Sequence, residues 1–68
     1  MTREQRLEKA KDLARRVETV APTEAKLLRR KHHLLRVAET SPAPGDYVIA
    51  LAEFYGAAVI LAKKVSGK

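Results

Sequence analysis

Between Ala25 and Ala38 the sequence carries Lys26, Arg29, Arg30, Lys31 and Arg36 together with His32 and His33, and no carboxylate. Such a run can neutralise phosphates, with contacts that weaken in salt as counterions return. On a helix, Lys26, Arg29, Arg30, His33 and Arg36 fall away from the neighbouring leucines, the placement a phosphate-binding face requires. The same residues would equally make an ordinary solvated face. No helix-turn-helix glycine, glycine-rich phosphate loop or interleaved aromatic accompanies them. Nucleic acid is therefore the second of two expected partners.

The first is protein. Tyr47, Phe54 and Tyr55 lie close together beside the small residues Ala52, Gly56, Ala57 and Ala58. A glycine inside a helix costs up to about 1 kcal/mol relative to alanine, so Gly56 suggests close approach by another helix backbone. Tyr55 falls to one side of the apolar seam described below, where an amphipathic ring suits the edge of an interface. The expected surface comprises Tyr47, Val48, Ala52, Tyr55, Gly56 and Val59, occupied by a partner or by a second copy. Tyr47 and Phe54 could alternatively be plain core.

Other reactive side chains offer less. His32 and His33 are adjacent, so on a helix they diverge by about 100° and cannot chelate one metal ion. Their basic neighbours should depress both pKa values. Ser41 and Ser66 have no histidine and carboxylate predicted to converge on them, so catalysis, cofactors and metals are not expected. Lys31 and Glu53 each interrupt an apolar region. Lys31 is expected to reach water along its methylenes and Glu53 to lie at a bundle edge, with a direct pair as the alternative.

Three elements must position these groups. Thr2 and Gln5 form a Thr-x-x-Gln capping box, predicting a helix over 3–20. Its seam is Leu7, Ala10, Ala14, Val17 and Ala21, flanked by Leu13 and Val20, and is poor in bulk. Pro22 should break the pattern, or kink it, with Thr23 capping a second helix over 24–39. There Leu27, Leu28, Leu34, Leu35 and Ala38 share one stripe with Lys31 near its middle. Thr40-Ser41-Pro42-Ala43-Pro44-Gly45 reads as a turn, and Asp46 as the cap of a third helix over 47–65. Tyr47, Leu51, Phe54, Ala58, Leu61 and Val65 form its seam, the most regular in the chain. Val48, Ile49, Ala52, Tyr55, Val59 and Ile60 make its other sides apolar too, the mark of a central helix or one shared between molecules.

The whole is 68 residues with a net charge of +6 and no cysteine, room for one small domain without disulfides. The fold expected is all-α, a three-helix bundle or a helical hairpin with the third helix as its hydrophobic spine. The opening residues mix acids with bases and lack an apolar run, which is unlike a secretory signal and places the protein in the cytoplasm. Residues 47–62 carry only Glu53 as a charge but fall short of the roughly 20 residues a membrane span needs. The function expected is therefore binding without catalysis: a regulator, inhibitor or adaptor acting through the third helix and associating with itself.

Overall fold

A computed structural model describes residues 2–66 and shows three helices, α1 (Arg3–Val20), α2 (Pro22–Glu39) and α3 (Pro44–Ser66). The capping box starts α1: Thr2 Oγ1 accepts from the Gln5 N–H at 3.2 Å, and Gln5 Oε1 accepts from the Thr2 N–H at 2.9 Å. Two donors that the first turn leaves without helical partners are thereby satisfied. Thr2→Ala should lower stability by about 1 kcal/mol, or roughly 4–8 °C in Tm for a domain of this size, measurable by calorimetry.

Two of the three prolines begin helices. Pro22 and Pro44 are the first residues of α2 and α3, so the expected starts at 24 and 47 are late. A first-turn residue needs no N–H and the proline ring presets its φ, so the residue that ends one helix can open the next. Neither Thr23 nor Asp46 is a cap: both lie inside a first turn, and Ala21 precedes α2 without any side-chain capping bond. Ala21 alone joins α1 to α2. Its N–H donates to the Val17 carbonyl at 2.7 Å, closing α1, while its carbonyl accepts from the Ala25 N–H at 3.0 Å, opening α2. Ser41 secures the second joint, donating to Asp46 Oδ2 at 2.9 Å and accepting from the Ala43 N–H at 3.3 Å.

The helices pack as a three-helix bundle in which α3 is the shared member, touching α1 most extensively and α2 next. Ion pairs Arg29–Glu18, Lys31–Glu53 and Lys64–Glu24 show α2 running antiparallel to both neighbours. It follows that α1 and α3 are parallel. The core consists of Ala10 and Val17 from α1, Ala25, Leu28 and Leu35 from α2, and Leu51, Phe54 and Ala58 from α3, with no buried polar residue among those described. Alanines on α1 let α3 approach, and Phe54, Leu28, Leu35 and Val17 supply most of the bulk.

The leucine stripe of α2 is not buried as a unit. Leu28 and Leu35 are in the core, but Leu27 and Leu34 are 48 % and 47 % exposed. The buried arc instead takes in Ala25 and half-buried His32, a rotation of roughly 80° at 100° per residue. Two neighbours press on α2 at once, and Phe54 seats His32 between them. Lys31 consequently lies at the edge of the buried arc, and its Nζ meets Glu53 Oε2 at 3.2 Å. The direct pair is made. With Glu53 about half exposed, such a pair contributes no more than about 1 kcal/mol.

Candidate interaction surfaces

The outer side of α3 is the largest departure from an ordinary amphipathic helix. Ile49, Gly56 and Ile60 point roughly 150–170° away from the line of Leu51, Phe54 and Ala58 at 100° per residue. Val48, Ile49 and Ile60 are 53 %, 61 % and 67 % exposed, and Ala52 between them is exposed as well. Gly56 and Val59 are half-buried. A hydrogen-bonded helix turns an apolar side to water here only because its other sides are already occupied by α1 and α2. The patch continues onto α2, where Leu34 and Val37 share a shallow groove with Ile49 and Ala50.

The structure divides the six interface residues predicted from sequence. Ala52 and Gly56 belong to this outer side, while Val48, about 90° from the core line, lies at its margin. Tyr55 and Val59 turn toward α1 and line a groove with Leu13, Val17 and Val20. Tyr47 stands apart at the end of the bundle, half-buried against the core with the Arg3 guanidinium 5.9 Å from its ring centre. Gly56 is not approached by another helix of the chain: a Cβ built there meets nothing within 4 Å. Ile49, Ile60, Leu34 and Val37 are the outer residues that reasoning from the seam overlooked. Their signal was present in the apolar all-round character of α3, but only packing shows which side is left over.

The basic residues Lys26, Arg29, Arg30, His33 and Arg36 are all exposed on α2. Arg29 is drawn into a pair with Glu18 of α1, so that part of its charge is already neutralised. The two histidines separate, as adjacent helical residues must. His33 faces solvent, while the His32 ring lies 5.1 Å from Phe54 and parallel to within 3°. Burial lowers the His32 pKa below its ordinary value, and Lys11 on α1 and Arg36 on α2 push it further down against a smaller opposing effect from Glu39. Burial is thus the largest single cause, ahead of each of the neighbouring cations that the sequence had suggested.

That shift has a pH consequence. In the unfolded chain His32 takes up a proton near pH 6.5, whereas the folded chain resists it to lower pH. Stability should be unaffected by this group above that range and should fall as the pH drops through it toward the lowered pKa. Urea melts of the parent and His32→Gln between roughly pH 7.5 and 5 should show the parent losing more.

Comparison with protein families, curated proteins and solved structures finds no match to this chain. The surfaces therefore have to be interpreted from their own residues. No helix among the described residues is long and apolar enough to cross a membrane.

Proposed function

We propose that this chain is a small non-enzymatic protein-binding module acting through α3, with a second copy of itself on the outer side of that helix. The single observation that carries the reading is the exposure of Ile49 and Ile60 on the side of α3 opposite the core, with Val48 exposed at its margin. Contiguous apolar surface of this kind marks interaction sites on small proteins. The pattern is also self-complementary. Two α3 helices running antiparallel about a two-fold axis at position 58 set each Ile60 over the other copy's Gly56, where nothing within the chain fills the space. The same axis brings each Glu53 level with the other copy's Lys63. Size and charge thus select one centre, as an isologous interface requires. Such a module would serve as a regulator, inhibitor or adaptor.

Sedimentation velocity over a roughly hundredfold range of concentration tests it, since self-association must follow mass action. A sedimentation coefficient that rises toward a dimer supports the reading, and one that stays monomeric throughout removes it.

A second reading, binding of nucleic acid, has its own observation. Lys26, Arg30, His33 and Arg36 are exposed and take part in none of the ion pairs among the described residues. A face of this kind would lose nucleic-acid affinity steeply between about 50 and 200 mM salt.

A further inference from the structure

The side of the α1–α3 pair opposite α2 carries a second, separate groove of about 380 Å³. Leu13 and Val20 of α1 and Tyr55, Val59 and Val65 of α3 form its apolar floor and walls. On the other side of this pair, α2 fills the corresponding position with Leu28 and Leu35, and it runs antiparallel to both helices. The groove is thus the vacant fourth position of a helical bundle. It runs from Lys9 to Val20 along α1 and from Tyr55 to Ser66 along α3, about 16 Å at 1.5 Å per residue. That is three turns of a helix, enough to seat apolar anchors spaced i, i+4, i+7 and i+11.

The rim states the charge of what fits. Lys9, Arg16 and Lys63 line the groove, and among the described residues no carboxylate does. Lys9 and Arg16 stand two turns apart on the α1 edge, while Lys63 stands on the α3 edge near the level of Arg16. Arg16 also contacts Asp12 at 3.2 Å, but that pair is well exposed and holds the guanidinium weakly. We propose that this groove docks an acidic amphipathic helix of a partner protein, its apolar face on Leu13, Val20 and Val59 and its carboxylates against Lys9, Arg16 and Lys63. The inference rests on the reading of this chain as a binding module, not on its self-association. It names a different groove, which shares only Lys63 with the proposed self-association, and a different occupant.

A pair of synthetic helical peptides of about 15 residues provides the probe. Both carry leucines at i, i+4, i+7 and i+11; one has glutamates on its flanks and the other lysines at the same positions. Each is titrated into the full-length isotope-labelled chain and followed by amide chemical shifts, with anionic vesicles as a third ligand. The glutamate peptide should bind and shift the amides around Leu13, Val20, Val59 and Val65. Lys9→Glu with Arg16→Glu should weaken it by about tenfold and favour the lysine peptide instead. Both cations are exposed, so this double variant keeps the fold; its circular dichroism melt checks that.

Equal binding of both peptides, shifts confined to Ile49 and Ile60, or binding of vesicles but of neither peptide would overturn the proposal. So would affinity unchanged in the double variant. Sedimentation of the same samples without peptide reports self-association separately, so failure of one inference is not mistaken for failure of the other.

Discussion

Phe54→Ala is expected to leave the chain largely unfolded at 25 °C. Truncating a fully buried phenylalanine costs about 3–5 kcal/mol, through lost burial and the cavity left behind. A chain of 68 residues has only about 3–10 kcal/mol in all at the usual stability per residue. Phe54 is 1 % exposed, is the largest fully buried side chain, and belongs to the one helix that packs extensively on both others. Few neighbours can refill its place, because the residues that share a cleft with it include Ala14 of α1 and Ala25 of α2. The variant also removes the ring against which His32 stacks. Far-ultraviolet circular dichroism with urea melts should show most helical signal lost, whereas Phe54→Leu, which keeps much of the volume, should still fold. A cooperative melt of Phe54→Ala close to that of the parent would contradict this view of the core.

Ile60→Glu should do the opposite, sparing the fold and abolishing association. Ile60 is 67 % exposed, so its replacement should change the stability of the folded monomer by no more than about 0.5 kcal/mol. In a symmetric dimer the substitution enters twice. If each copy loses about 2 kcal/mol, as at the centre of an interface, the dimer weakens by about 4 kcal/mol, or roughly a thousandfold. Sedimentation should then show monomer at concentrations where the parent is dimeric. Gly56→Ala provides a finer contrast. With nothing near the added methyl it should stabilise the monomer by about 0.5–1 kcal/mol, yet crowd the other copy's Ile60 and weaken association.

These two residues lie six positions apart on one helix, and the sequence distinguishes them only in part. The seam through Leu51, Phe54 and Ala58 was legible because its helical period is unbroken, and the α1 capping box because both of its side chains are local. The prolines misled. In sequence Pro22 and Pro44 signal an interruption, but the same fixed φ and missing N–H suit the first position of a helix, so α2 and α3 begin earlier than expected. The leucines of α2 misled for a different reason. Periodicity shows that Leu27, Leu28, Leu34 and Leu35 share a stripe, but which half is buried depends on where α1 and α3 press. The His32–Phe54 stack resolves that competition. Such a contact between two helices has no signature in either segment alone.

The candidate surfaces follow the same division. An apolar excess on the third helix was apparent from composition, as was the basic run on the second. That the excess separates into an outer side with Ile49 and Ile60 and a groove with Tyr55 and Val59 depends on α1 packing parallel beside α3. The cations of that groove, Lys9, Arg16 and Lys63, are drawn from both ends of the sequence and meet only through this packing.

Self-association through the outer side of α3 can be seen directly in an isotope-filtered NOE experiment on an equal mixture of labelled and unlabelled chain, at a concentration where sedimentation shows the dimer. Intermolecular NOEs should link the Ile60 methyl groups of one copy to Gly56 and Ala52 of the other. Intermolecular NOEs confined to α1 or to the basic face of α2 would contradict this interface.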